Sequence, residues 1–462
     1  MFGLYSSRIF LRPFAAFLAL LVLSGCASYA VVANDPLNKD TAKNSYSLEK
    51  LSEKLSGSTD TTVILAFSGG GTRAAALAYG VLEALRDIEI TDSQAGDIRL
   101  LDEVEIITSV SGGSFVSAYY GLFGDRIFED FKEEFLYQDI DGKLLTGFLN
   151  PIFWFGSTGR TEMAVGIYEE DIFHGKTFAD MNREGAPLIL INASDLGNGI
   201  RFSFVQEYFD LLCSDLSSFP VARAVAASSA VPVVFNPVVV ETYPESCDDE
   251  LPGWVANLKN REFKSSQIVA VLEELQIYID KRSERQLLHF VDGGITDNLG
   301  LRALQEIVET AGGVSTLNER MNREQASQTM LISVDASTQP ETDMDLVEQQ
   351  PSVADVVSAV TDVQLRLYNR STIDLMERSL ERWTEETAAE GNTMEPYFVK
   401  LQFNDLRKSK KDLLQFKFLN KIPTSFSLSK EEVDELIKTG RELLLDNPEF
   451  KRFMADRNKN LS

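Results

Sequence analysis

Twice in this chain an apolar, β-branched run ends abruptly in small residues and passes straight into a helix-forming stretch. Thr62-Val63-Ile64-Leu65-Ala66-Phe67 runs into Ser68-Gly69-Gly70-Gly71-Thr72-Arg73, and Ala74 to Leu85 follows, rich in alanine and leucine. Val104-Glu105-Ile106-Ile107-Thr108 runs into Ser109-Val110-Ser111-Gly112-Gly113 and then into the apolar segment from Ser114 to Leu122. Short apolar runs of this kind suit strands buried on both faces, and the alanine- and leucine-rich continuation favours helix. Similar runs recur at Leu188–Asn192, Leu288–Val291 and Met330–Val334. Strands alternating with helices predict an α/β fold with a mostly parallel sheet covered on both faces.

The glycine turns are where chemistry would sit. Ser111, between a strand and a helix with small neighbours, has the setting of a nucleophile elbow, in which a sharp turn lifts the hydroxyl above the sheet. Ser109 stands where the usual first glycine would be. The consecutive glycines at 69–71 expose backbone N–H groups at a helix N-terminus, which suits an oxyanion hole and equally a phosphate cradle. A nucleotide loop is disfavoured because no Gly-Lys-Ser/Thr follows.

A serine nucleophile needs a proton acceptor, and the chain has only two histidines, His174 and His289. The order of an α/β-hydrolase, with histidine last after the acid, does not occur here. His174 lies in a Phe-His-Gly turn and His289 within a strand, so both read as structural. The base is then a carboxylate, and Asp292 in Phe290-Val291-Asp292-Gly293-Gly294 is the strongest candidate. It ends an apolar strand, and parallel sheets bind ligands outside the carboxyl ends of their strands.

Taken together, Ser68–Arg73, Ser109–Gly113, Asp292–Gly294 and Arg223-Ala224-Val225-Ala226-Ala227-Ser228-Ser229-Ala230-Val231-Pro232 resemble, in order and context, the patatin-like phospholipase family. The resemblance covers roughly residues 60–340. It implies a three-layer α/β/α fold and a Ser111/Asp292 dyad that hydrolyses lipid acyl esters, of the phospholipase A or lysophospholipase type. The oxyanion would be held by N–H groups of Gly70, Gly71 and Gly112, with Arg73 adding positive charge. No metal or organic cofactor is required. Alternatives are an esterase or acyltransferase on small or neutral lipid esters, and a catalytically silent lipid-binding protein.

The N-terminus bounds location. Arg8 and Arg12 precede an apolar run from Phe14 to Leu23, too short for a comfortable membrane span, followed by Leu23-Ser24-Gly25-Cys26. That order resembles a bacterial lipoprotein signal, with residues 1–25 removed and Cys26 lipid-modified. Residues 26–60 then read as a lipidated tether, 61–345 as the catalytic domain and 346–462 as a helical extension. The expected location is the cell envelope, at the outer membrane, with the membrane reached through the lipid anchor.

The net charge of −26 becomes −28 once Arg8 and Arg12 leave with the leader. Such acidity excludes nucleic acid as a natural partner. Cys213 and Cys247 are enough for one disulfide in an oxidising compartment, if the fold brings them together. An aromatic stretch at 147–156 is a place where a lid or an acyl-binding wall could lie.

Overall fold

The computed structural model describes residues 30–460 except 39–45, 49, 51–60, 93–95, 150–158, 233, 248–251, 261–265, 322–324, 340–347, 349 and 409. Cys26, the leader and most of the aromatic stretch at 147–156 lie outside the described residues.

The elements that matter for the site are β1 (Thr61–Phe67), α1 (Gly71–Asp87), β2 (Val104–Val110) and α2 (Gly112–Phe123). Next come β3 (Leu188–Asp195), β4 (Ile200–Ser203), α3 (Val221–Ser228), β5 (Val238–Glu241) and β6 (Leu287–Asp292). The chain continues with α4 (Leu301–Ala311), β7 (Gln328–Asp335), α5 (Val353–Ala389), β8 (Glu395–Gln402) and α6 (Lys430–Asp446).

Eight strands form one sheet in the order β8-β7-β1-β2-β3-β6-β5, with β4 paired to β3. The five strands from β8 to β3 are parallel. The other three, β4, β5 and β6, join by antiparallel pairing. Every residue of β2 is buried, as its central place requires. Adjacent side chains of a strand point to opposite faces. Thr108 of β2 bonds to the Gly300 carbonyl just ahead of α4, whereas Ser109 accepts bonds from Ser114 and Ser117 of α2. The α1–α2 layer and the α4–α5 layer therefore cover opposite faces, giving the expected α/β/α architecture.

Two stretches are more tightly built in than their sequences suggest. The stretch read as a tether is fastened to the body: Asp35–Pro36 pairs with Ser214–Asp215, and buried Tyr46 accepts the Ile189 N–H through its hydroxyl. The C-terminal extension is not only helical, since it supplies the edge strand β8. It also supplies α6, which packs closely on α1. A Cβ on Gly80 would come within 2.0 Å of the Ile437 carbonyl oxygen, and one on Gly440 within 2.2 Å of that of Leu77. Only glycine at both positions lets these helices approach so closely.

Cys213 and Cys247 form a disulfide across a sequence separation of 34 residues. Closing a loop of that length stabilises a fold by roughly 3–4 kcal/mol through the unfolded chain. Melting with and without reductant should show a lower Tm when the bridge is open. An unchanged Tm would mean that other contacts already hold the loop closed.

Candidate active site

At the end of β2 the backbone turns sharply, and Ser111 takes φ 50° and ψ −121°, a conformation that L-residues rarely adopt. The surroundings hold it there. Its N–H donates to Ser228 Oγ at 2.8 Å, and Ser228 Oγ in turn donates to the Asn192 carbonyl at 2.6 Å. The Ala-Ser-Ser-Ala run of α3 thus acts as a clamp for the turn, and its close packing explains the small residues.

Asp292 reaches Ser111 by an unexpected route. Asn192 of β3 pairs with Val110 of β2 on one flank and with Ser203 of β4 on the other. The next residue, Ala193, pairs with Phe202 of β4 and with Asp292 of β6. Because β4 occupies one flank throughout, β2 and β6 lie on the same flank of β3 and meet head to head. Placing Asp292 by analogy with the carboxyl ends of parallel strands is therefore corrected: its strand is antiparallel to β3 and arrives from outside the parallel sheet.

At this junction Ser111 Oγ donates to Asp292 Oδ2 at 2.8 Å, and the Gly294 N–H donates to Asp292 Oδ1 at 2.8 Å. The Asp292 and Gly293 N–H groups donate to the Ala230 and Ser228 carbonyls, fixing the acid to the end of α3. Both side chains are buried. Burial pushes the Asp292 carboxyl up to about 6, against the lowering effect of the Gly294 N–H and the Ser111 hydroxyl.

The glycine turns come together beside this pair. Gly70 and Gly71 have φ of 141° and 61°, which explains why glycine is used there. The N-termini of α1 and α2 touch: a Cβ on Gly112 would lie 1.9 Å from the Gly71 carbonyl oxygen. Among the described residues no acceptor takes the N–H of Gly70, Gly71 or Gly112. Adjacent free N–H groups at two helix N-termini can receive an anion or an oxyanion.

Arg73 departs from its expected role. Its buried guanidinium donates through Nε to the Ala336 carbonyl, through Nη1 to the Ile422 carbonyl and through Nη2 to Thr424 Oγ1. Burial lowers its pKa to about 10. Its bonds tie the glycine turn to the C-terminal segment, so Arg73 positions the turn. Neither histidine joins the site: His289 is exposed, and His174 sits 3.3 Å from Glu134.

Two further residues shape the site. Ser228, marked in the sequence only as part of the Arg223–Pro232 run, is one, as described. The other is Asn298, whose carbonyl accepts the Gly69 N–H and whose buried side chain lies between Gly69 and Gly294. Its Nδ2 has no partner among the described residues, and a Cβ on Gly69 would lie 2.7 Å from its Oδ1 and 3.3 Å from the Ser111 Cβ. Its place beside Ser111 depends on the short helical turn at Gly294–Asp297, which no local pattern announces.

A search of curated proteins gives no match. A solved structure of human GIVD cytosolic phospholipase A2 is similar at 11% identity and a TM-score of 0.41, covering 89% of this chain and 66% of that one. The same enzyme in complex with methyl gamma-linolenyl fluorophosphonate aligns at 11% identity and a TM-score of 0.37, covering 89% and 64%. This chain thus spans about two thirds of that enzyme's length. The profile described as patatin-like phospholipase matches residues 65–304, just over half of the sequence and all of the segment that builds the serine–aspartate junction. The chain belongs to the patatin-like phospholipase family.

Proposed function

We propose that this protein hydrolyses acyl esters of lipids, as a phospholipase A or lysophospholipase, through an acyl-enzyme on Ser111. The observation that carries this reading is the 2.8 Å bond from Ser111 Oγ to a buried Asp292 whose carboxyl sits near 6. A carboxylate with that pKa is ionised at neutral pH and still basic enough to accept a proton. Ser111 Oγ attacks the ester carbonyl carbon as its proton passes to Asp292. The N–H groups of Gly70, Gly71 and Gly112 receive the oxyanion. The tetrahedral adduct collapses, and the alcohol leaves with the proton from Asp292. Water then attacks the acyl-enzyme, giving its proton to Asp292, and the fatty acid departs as Ser111 is restored.

Exposed apolar side chains flank the acid and favour a lipid over a polar substrate. Val231 follows Ala230, which binds the Asp292 N–H, and Ile295 follows Gly294; they are 37% and 52% exposed. Fatty-acid release from phospholipids, lysophospholipids and short-chain esters, with Ser111→Ala as control, tests the reading. Wild type inert on every ester while still binding lipid would replace it with the silent lipid-binding alternative.

The same proposal places the chain in the cell envelope, anchored through lipid on Cys26. The Val31 carbonyl is held by Arg223 Nη1 on α3, the helix that clamps Ser111. Val31 lies five positions after Cys26, a reach of at most about 18 Å. Labelled palmitate should enter the wild-type protein in a bacterial host and be lost in Cys26→Ser. Equal labelling of both would move the modification elsewhere.

A further inference from the structure

A second chemical environment lies apart from the serine–aspartate junction. A cavity of about 570 Å³ opens at the carboxyl ends of β7 and β8, whose last residues, Asp335 and Gln402, line it. Its third wall is α5, where Arg366, Asn369 and Arg370 recur at helical spacing and share one face. The carboxyl edge of parallel strands is where sheets of this kind receive ligands.

Two features give the cavity polarity. Deep in it are acceptors without donors: Asn369 is 5% exposed, its Nδ2 bonds to Ser337 Oγ at 3.2 Å, and its Oδ1 has no partner among the described residues. Among the described residues the buried Oδ1 of Asn404 also has none, and the Asp335 carboxylate, whose Oδ1 accepts the Ser337 N–H at 2.9 Å, lines the same cavity. A buried carbonyl oxygen without a donor has lost its bonds to water uncompensated, so a group bringing N–H bonds is favoured there. At the rim the sign reverses. Arg366 and Arg370 are exposed and make no ion pair among the described residues, the only bond of Arg366 being from Nε to the Asp362 carbonyl. On the same helix Val363 and Leu367 line the opening and are 41% and 53% exposed.

We infer that this cavity binds a zwitterion carrying a primary ammonium and a phosphate, the pairing found in an ethanolamine phospholipid head group. The ammonium donates to Asp335, Asn369 Oδ1 and Asn404 Oδ1, while the phosphate meets Arg366 and Arg370. A quaternary ammonium lacks N–H donors and leaves the two carboxamide oxygens unsatisfied. The site is connected to the glycine turn through one residue. Between Asp335 and Ser337, Ala336 donates its N–H to Ser68 Oγ and accepts from Arg73 Nε.

Calorimetry on the mature chain carrying Ser111→Ala tests this without turnover, so the result stands whether or not the hydrolase reading holds. Glycerophosphoethanolamine is expected to bind one to one, with glycerophosphocholine and inorganic phosphate each weaker by about tenfold or more, the loss of one charge-assisted bond. Arg366→Gln with Arg370→Gln should weaken it by a similar factor without moving the melting temperature, since both side chains are exposed; Asn369→Leu tests the deep end. A short-chain lysophosphatidylethanolamine below its micellar concentration separates the sources. Tighter binding than the glycerol compound identifies a lipid head group, and equal binding identifies a free zwitterion. No heat with glycerophosphoethanolamine, equal affinity for the choline compound, or binding indifferent to both arginines would overturn the assignment.

Discussion

Ser111→Ala is expected to remove ester hydrolysis altogether, and Asp292→Asn to lower kcat by about 10³–10⁴-fold, with both proteins folded. Without Oγ there is no acyl-enzyme. An amide at 292 keeps its place beside Ser111 and Gly294 but cannot take the proton. The pH dependence follows from the raised carboxyl. Asp292 acts ionised, so the rate should rise with pH, reach half its plateau near 6 and fall about tenfold per unit below that.

The effect on stability has the opposite sign. A carboxyl raised from 3.8 to about 6 in the fold favours the folded state most when protonated, below the unfolded value. That contribution is lost as pH rises through about 6, and amounts to at most about 3 kcal/mol. Asp292→Asn should therefore melt higher than wild type at pH 8 while being nearly inactive, which separates lost chemistry from lost fold. A variant that keeps its activity, or a rate already at plateau at pH 4.5, would remove Asp292 as the base.

A chain ended at residue 345 is expected to be insoluble or unfolded, although the matched family segment stops well before that point. Truncation strips β8 from β7 along all eight of its residues and removes α6 from its close seat on α1. It leaves the Arg73 guanidinium buried without the Ile422 carbonyl or Thr424 Oγ1, and the Thr72 N–H without the Ser425 carbonyl. Tyr397, Val399, Leu401, Leu436 and Leu444 are among the buried side chains lost. At about 1.5–3 kcal/mol for each large buried side chain, this exceeds most of a total stability of 5–15 kcal/mol. Soluble yield and near-UV circular dichroism of the truncated chain decide the matter. A cooperatively melting, active 61–345 fragment would show that the extension is a separate module.

Much of the site could be read before any fold was known. The two glycine turns and the serine between them in sequence stand where a strand gives way to a helix, as their sequence suggests, whereas the Asp-Gly-Gly ends a strand running opposite to the one expected. These features are encoded locally: a positive φ demands glycine, a buried strand demands a short apolar run, and a proton acceptor demands a titratable side chain. Arg73 shows what local reading leaves out. Its sequence neighbours are the glycines of the first turn, but the partners that orient its guanidinium lie more than 260 residues away, at Ala336, Ile422 and Thr424.

The sequence by itself therefore determined the glycine turns, the candidate pair Ser111 and Asp292, and the alternation that builds the sheet. Tertiary structure alone decided that β6 runs antiparallel and meets β2 end to end, that Ser228 clamps the strained serine, and that the C-terminal segment completes the sheet. Strand direction and side-chain partners are set by pairing between distant segments. No short window of sequence contains both halves of such a pair.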